Sequence, residues 1–153
     1  MWEYNILEKL KSIGKQNVLE APVVLDLGGG AGEFSEALNE MGITCVSLDM
    51  QDWETNPSAK QVNASAYQMP FRDKSFDLVH LRGVLDTCLY PHNFAALRTE
   101  IARVLKDGGI LAIHDDNDNQ EDAAFHRDFI DLIPKTTSYR YSSIWEKPPT
   151  SST

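Results

Sequence analysis

Hydrophobic residues recur at helical spacing at the start of the chain, and further along they occur mainly in short apolar runs separated by polar and turn residues. The first period predicts an amphipathic helix over residues 2–14, ended by Gly14, with the apolar positions Trp2, Ile6, Leu10 and Ile13. A second helical period covers residues 33–41, where the inward-facing positions are expected to be Phe34, Ala37, Leu38 and Met41. Each helix is therefore expected to pack one apolar side against a core.

Short apolar runs bounded by turn residues predict strands at 23–27, 43–48, 60–64, 76–81 and 110–113. Further helices are predicted at 93–106 and 122–132, a loop or broken helix at 51–60, and a last strand at 137–145. Strands that alternate with helices predict the α/β class, as a doubly wound, mainly parallel, Rossmann-like sheet of six or seven strands with helices on both faces. Residues 1–147 are expected to form one domain and residues 148–153 a disordered tail.

Charge and composition narrow the possible partners and locations. The formal net charge is −9, which argues against broad nucleic-acid binding, because such proteins usually present a basic face. No apolar run approaches the roughly 18 residues of a membrane helix, and the N-terminus lacks the pattern of a secretory signal, so no membrane association is expected. Cys45 and Cys88 are interpreted as two buried, reduced thiols, which favours a cytoplasmic location.

The strongest chemical signal is the stretch Asp26-Leu27-Gly28-Gly29-Gly30-Ala31-Gly32, which follows a predicted strand and opens a predicted helix. Glycines permit a tight turn and a close approach of the backbone to a ligand, and the helix start adds free N–H groups. A dinucleotide fingerprint would place its third glycine at Glu33, where a glutamate opposes pyrophosphate. The lysine and Ser/Thr of a P-loop are also missing, so a different ligand is favoured.

This stretch resembles the first motif of the class I S-adenosylmethionine (SAM)-dependent methyltransferases, Asp-x-Gly-x-Gly-x-Gly, which Asp26, Gly28, Gly30 and Gly32 match. The resemblance implies that SAM is the cofactor. It also implies that the loop, including Gly29, wraps the methionine part of SAM and that Asp26 helps to hold the amino group.

Four further residues are assigned to the cofactor, Asp49, Asn63 and Ala64 by the same resemblance and Met50 by its place directly after Asp49. Asp49, at the end of the second predicted strand, corresponds to the acid that accepts the ribose hydroxyls, and Met50 is expected either to pack on the adenine or to lie in the core. Asn63-Ala64 stands where the family has an Asp-Ala pair that contacts adenine. An asparagine oxygen can accept a hydrogen bond from the adenine amino group, but it lacks the charge of the aspartate.

Two longer matches extend the resemblance to about residues 20–115. Residues 69–79, Met-Pro-Phe-Arg-Asp-Lys-Ser-Phe-Asp-Leu-Val, follow the family pattern L-P-F-x-D-x-S-F-D-x-V. Residues 100–109 follow E-x-x-R-V-L-K-P-G-G, with Asp107 in place of the proline, and are interpreted as a structural helix end and strand start.

Residues near the expected methyl position are His80, Leu81 and Arg82 at the end of the fourth strand, Asp86 beyond it, and His114 at the end of the fifth. Leu81 is assigned to the cofactor, whereas Arg82 and His114 are the candidate catalytic residues, with His114 as the base if the acceptor must lose a proton. The competing interpretation of His80 is a hydrogen-bonded strand residue. The acidic run 114–118 lacks the glycine spacing of a calcium loop, so no metal site is predicted.

These residues predict methyl transfer from SAM to an unidentified acceptor, either a small molecule or a macromolecule. A non-catalytic SAM-binding subunit that regulates or stabilises a partner is the first alternative, and a nucleotide-dependent oxidoreductase is the second. The predicted substrate side lacks an insertion that would cover it, which is compatible with a large acceptor, with a homodimer that completes the pocket, or with a chain that has lost catalysis.

Overall fold

The computed structural model of the protein describes residues 8, 10–12, 14–15, 20, 22–54, 57–82, 94–115, 130–131 and 141–149. Its strands are β1 (Val23–Leu27), β2 (Thr44–Asp49), β3 (Gln61–Asn63), β4 (Phe76–Arg82), β5 (Leu105–Asp115), β6 (Ile130–Asp131) and β7 (Tyr141–Glu146). Its helices with defined bounds are α1 (Glu33–Glu40), α2 (Phe94–Val104) and a 3-10 turn at Pro57–Ala59. Residues 8 and 10–12 are also helical, inside the predicted helix 2–14.

The seven strands form one sheet in the order β3-β2-β1-β4-β5-β7-β6. The first five of these strands pair in parallel, and β7 pairs antiparallel with β5 and β6. The predicted doubly wound, mainly parallel α/β fold is therefore confirmed, with seven strands among the residues that the structure describes. The strand order reverses beside β1, because the chain first builds outward through β2 and β3 and then returns to β4. Ligands of such sheets bind at the carboxyl ends of the strands near this reversal.

Alternating residues of the strands supply two cores, one on each face of the sheet. Leu25 and Leu27 of β1 pack on the face covered by α2, while Val24 lies on the opposite face with Phe34 of α1 and with Leu10. Leu10 is fully buried, which confirms the inward side of the N-terminal helix at this position. Because side chains of a strand alternate between faces, one short apolar run can serve both cores.

Three predictions about the elements are wrong. Met41 follows the end of α1 and is 42% exposed instead of facing inward, because the chain turns away at Gly42, whose φ is +82°. Residues 130–131 belong to β6 and not to a helix, since their backbone pairs with β7 at the edge of the sheet. The helix expected to reach Lys106 ends at Val104, and β5 begins at Leu105 with an irregular register before Ile110.

Several predicted features lie outside the described residues: Trp2, Ile6, Ile13, Asp86, Cys88, the segment 122–129 and the end of the tail at 150–153. Cys45 is buried, as expected, and burial raises the pKa of its thiol to about 12. No helix within the described part of the chain is long and apolar enough to cross a membrane.

Candidate functional site

The glycine loop, defined as residues 28–32, leaves the carboxyl end of β1 and leads directly into α1. Gly28, Gly30 and Gly32 have φ values of +72°, +57° and +79°, which side chains other than glycine rarely adopt. The amide of Gly28 donates to the carbonyl of Leu48 at 2.7 Å, so the loop is anchored to the adjacent strand β2. A Cβ placed on Gly30 would meet no atom within 4 Å, which leaves open space beside the loop.

The floor of the glycine loop, defined as the side chains of Asp26 and Ser47 that lie against Gly29, is polar and tightly packed. A Cβ on Gly29 would lie only 2.6 Å from Asp26 Oδ2 and would overlap Ser47 Oγ, so any larger residue here would require these side chains to move. Ser47 is fully buried, and its hydroxyl has no hydrogen-bond partner among the described residues. No motif marked Ser47 in the sequence, and its only signal is its position two residues before Asp49 on the same strand.

Asp26 and His80 form a buried pair beneath this floor. They are register partners on β1 and β4, and Asp26 Oδ1 lies 3.1 Å from His80 Nδ1. Phe34 of α1 stacks on the His80 ring, with 4.3 Å between the ring centroids. Because an ionised carboxylate only accepts, Nδ1 carries the proton in this pair. His80 is thus a hydrogen-bonded strand residue, the competing interpretation above, and Asp26, 4% exposed, is turned toward the histidine.

Asp49 connects the glycine loop to the end of β2. Its Oδ2 accepts from the amide of Gly30 at 2.9 Å, and its Oδ1 accepts from the amide of Gln51 at 2.9 Å. Each carboxylate oxygen can accept a second hydrogen bond, so the two backbone donors leave capacity for a ligand. Asp49 is half-buried, and its remaining acceptor sites are therefore held in one orientation beside the glycine loop.

The segment after Asp49 lies against the end of β3. Asn63 is the register partner of Asp49, and Ala64 donates its amide to the Asp49 carbonyl at 3.0 Å. With its amide group oriented so that both ends are satisfied, Asn63 donates to the Met50 carbonyl and accepts from the Asp52 amide, both at 3.2 Å. Met50 is 68% exposed, so it belongs to the surface of this edge and not to the core.

The structure pairs the two candidate catalytic positions. Arg82 ends β4, His114 lies near the end of β5, and the two residues are register partners across these parallel strands. The adjacent Leu81 is fully buried in the core on the α2 side, so its side chain supports the site from within. The sequence does not predict that Arg82 and His114 are register partners, because their alignment depends on the irregular register between β4 and β5.

A second polar cluster, here called the Arg103 clamp, consists of Met69, Phe71, Asp73, Glu100 and Arg103. The Arg103 guanidinium donates to both oxygens of Glu100, to Asp73 and to the carbonyls of Phe71 and Met69, at 2.6–3.1 Å. Hydrogen bonds from Arg103 hold the pKa of Glu100 below its usual range, and the same bonds raise the pKa of Arg103. The clamp ties the loop before β4 to α2.

No group of three or more His, Cys, Asp or Glu side chains suited to a metal ion occurs among the residues that the structure describes. The polar groups at the carboxyl ends of β1 and β2 include the half-buried carboxylate of Asp49, and the exposed Glu33 lies in the first turn of α1 beside them. Such an arrangement suits an organic ligand with hydroxyl and amino groups.

Comparison with known proteins gives one family. The family described as a methyltransferase domain matches residues 25–113, more than half of the chain. A demethylmenaquinone methyltransferase of Corynebacterium urealyticum is 38% identical over 98 residues, which cover 59% of this chain and 40% of that enzyme. An uncharacterized methyltransferase of Synechocystis sp. is 29% identical over 133 residues, covering 74% of this chain and 62% of that protein. The chain therefore spans about two to three fifths of these relatives.

Two solved structures share the fold. The 1,6-didemethyltoxoflavin-N1-methyltransferase of Burkholderia thailandensis, which contains 1,6-didemethyltoxoflavin and S-adenosylhomocysteine, aligns with a TM-score of 0.74 and 16% identity over 94% of this chain and 78% of that chain. A SAM-dependent methyltransferase of Methanosarcina mazei aligns with a TM-score of 0.69 and 16% identity over 87% of this chain and 96% of that chain. At these identities the likeness concerns the fold.

Proposed function

We propose, from the premise that this chain belongs to the class I SAM-dependent methyltransferase family, that it binds SAM at the carboxyl ends of β1 and β2 and transfers its methyl group to an acceptor. SAM is the methyl donor of this family, which confirms the predicted cofactor. The observation that carries the proposed binding site is the 2.9 Å hydrogen bond from Gly30 to Asp49, because it joins the glycine loop and the ribose-binding acid into one surface.

Three features of this edge support SAM as the ligand. Gly30 leaves open space beside the loop, which gives the methionine part room against the backbone. Asp49 keeps acceptor capacity for the two ribose hydroxyls, and the exposed Met50 offers an apolar contact for the adenine. Asn63 and Ala64 border the same end of the site.

The charges at this edge suit a cation better than a phosphate. Glu33 and Glu36 lie in the first turn of α1 and oppose an anion at the helix start. The net charge of −9 has the same sign. The alternative of a dinucleotide, which would place pyrophosphate at this helix start, is therefore disfavoured.

SAM supplies an activated methyl group, because its sulfonium is a good leaving group in a direct displacement. The protein then contributes orientation and exclusion of water more than covalent chemistry. The glycine loop and Asp49 fix the cofactor, and the strand ends at Arg82 and His114 border the acceptor side. We infer that His114 accepts a proton where the acceptor must lose one, and that Arg82 orients the acceptor.

Calorimetric titration with SAM and with S-adenosylhomocysteine tests the proposed site. Micromolar binding of both ligands is expected, whereas no binding of either would contradict the proposal. A titration with NAD serves as the control for the oxidoreductase alternative, and no heat of binding is expected there.

The acceptor class is approached by measuring S-adenosylhomocysteine formation with the small-molecule fraction and with the macromolecular fraction of a cell extract. Activity in either fraction rules out the non-catalytic alternative and assigns the acceptor to that class. SAM binding without turnover in both fractions would favour the non-catalytic subunit. The cytoplasmic location and a homodimer stay predictions, and the buried thiol of Cys45 is compatible with the first.

A further inference from the structure

Asn63 stands where the family resemblance predicts an aspartate in contact with adenine, yet its side chain is used within the protein. In the amide orientation that satisfies both ends, its nitrogen donates to the Met50 carbonyl and its oxygen accepts from the Asp52 amide, each at 3.2 Å. An amide provides both a donor and an acceptor, whereas an ionised aspartate provides acceptors alone. The pair of hydrogen bonds therefore requires an amide at this position.

We propose that Asn63 is a positioning residue that holds the adenosine segment, defined as residues 50–53, in the conformation that receives the cofactor. The inference rests on the proposed function, because it concerns the adenosine end of the same site. The segment follows Asp49 directly and presents two exposed apolar side chains, Met50 at 68% and Trp53 at 43% exposure. Both side chains are exposed, so backbone contacts hold the segment: Asn63 contacts Met50 and Asp52, and the Gln51 amide donates to Asp49 at its start.

An aspartate at position 63 could not make both hydrogen bonds of the asparagine. An aspartate at position 63 would keep the contact with the Asp52 amide, but its second oxygen would face the Met50 carbonyl at about the same 3.2 Å. Two acceptors at that distance repel each other, and the Met50 carbonyl would lose its donor. Asn63→Asp, which restores the residue typical of the family, is therefore expected to weaken cofactor binding in this protein.

Gln61 offers a matched control on the same strand. It lies two residues before Asn63, on the same face of β3, and its amide nitrogen is 3.5 Å from the Gln51 carbonyl. That distance is at the limit of a hydrogen bond, so little is lost when the amide is replaced. Gln61→Glu adds the same negative charge beside the same segment without removing a well-formed contact.

The experiment compares the wild-type protein, Asn63→Asp, Asn63→Ala and Gln61→Glu. Calorimetry with S-adenosylhomocysteine, which lacks the sulfonium charge, is expected to show roughly 2- to 10-fold weaker binding for both Asn63 variants, the effect of about one net hydrogen bond. Gln61→Glu is expected to bind within about twofold of the wild type, because its contact is weak.

A ligand-free measurement tests the same inference independently of binding. Acrylamide quenching of Trp53, obtained as the difference between each protein and its Trp53→Phe derivative, is expected to increase in both Asn63 variants and to stay unchanged in Gln61→Glu. Equal or tighter binding by Asn63→Asp, or unaltered quenching of Trp53, would overturn the inference. If the wild type binds no cofactor, the proposed function fails, and the quenching result still decides whether Asn63 orders the segment.

Discussion

The glycine loop and the Arg103 clamp both lie in stretches that match family motifs, but their polar groups differ in how completely they are used. In the clamp, the guanidinium of Arg103 is surrounded by four acceptor groups and Glu100 is only 14% exposed. At the glycine loop, Asp49 retains acceptor capacity and Gly30 faces open space. A motif match identifies the family in both regions, whereas unused hydrogen-bonding capacity distinguishes the proposed ligand site from the structural cluster around Arg103.

The largest effect is expected from Gly29→Ala, which should break the glycine loop. The new Cβ would collide with Asp26 and Ser47 under the loop, and overpacking of this kind costs about 1–3 kcal/mol. We expect SAM binding to be lost in calorimetry and the free energy of unfolding in urea to fall by that amount. Gly29 has no positive φ, so the effect is steric.

Gly42→Ala is the control for Gly29→Ala. Gly42 has a φ of +82° and open space at the Cβ position, so alanine there introduces backbone strain of about 1–2 kcal/mol without a collision. Its SAM affinity should remain at the wild-type value. Wild-type affinity in Gly29→Ala would show that the packed floor beneath the loop is irrelevant to the cofactor.

Asp49→Ala should produce the next largest effect, a loss of SAM affinity of about 10- to 100-fold, because hydrogen bonds to a charged group contribute about 1.5–3 kcal/mol. The variant removes the expected ribose acceptor and also the partner of the Gly30 and Gln51 amides. Calorimetry measures the affinity, and Glu54→Ala, an exposed residue of the same charge outside residues 50–53, is the matched control. An unchanged affinity in Asp49→Ala would refute the ribose assignment.

Arg103→Met should affect stability and leave the cofactor site intact, which sharpens the contrast between the two regions. We expect the free energy of unfolding to fall by about 1–2 kcal/mol, because the Arg103 side chain is only partly exposed and Glu100 loses its two hydrogen bonds from Arg103, keeping only the one from the Met69 amide. SAM affinity should stay within about twofold of the wild type. Lys106→Met, which removes the exposed ion pair with Asp77, should cost less than about 1 kcal/mol.

The pH dependence of the clamp follows from the same contacts. The pKa of Glu100 is lower in the folded protein than in the unfolded chain. The stability that the ionised carboxylate adds is therefore fully present above the ordinary glutamate pKa of about 4.3, and it is lost as the pH falls through the lowered pKa. As the pH falls, the free energy of unfolding measured in urea should therefore decrease more steeply for the wild type than for Arg103→Met. Parallel pH profiles would mean that the Glu100–Arg103 contact does not contribute to stability.

His114→Asn should have the smallest effect on SAM affinity, within about twofold, because the residue lies at the end of β5 and not at the glycine loop. Once an acceptor is identified, the rate of methyl transfer should fall, by roughly 10²- to 10⁴-fold if His114 is the general base. Calorimetry checks the first expectation, and a large loss of SAM affinity would place His114 on the cofactor side.

Most elements were predictable because their signals are local. The glycine loop follows an apolar run and precedes a helical period, and β1, β4 and α1 lie within a residue of their predicted bounds. The strand β6 was not predictable, because two residues carry no periodicity and become a strand only by pairing with β7. The exposure of Met41 was also missed, since the helical period continues past the residue at which the helix ends.

The sequence by itself determined the family, the position of the glycine loop and the acid at the end of β2, because turn chemistry and strand ends depend on neighbouring residues. Only the tertiary structure decided that Asp26 faces His80, that Arg82 lies beside His114, and that Asn63 reaches the Met50 carbonyl. Each of these contacts joins separate strands, or a strand and the loop beside it. Their geometry depends on the register of the whole sheet, which no local pattern specifies.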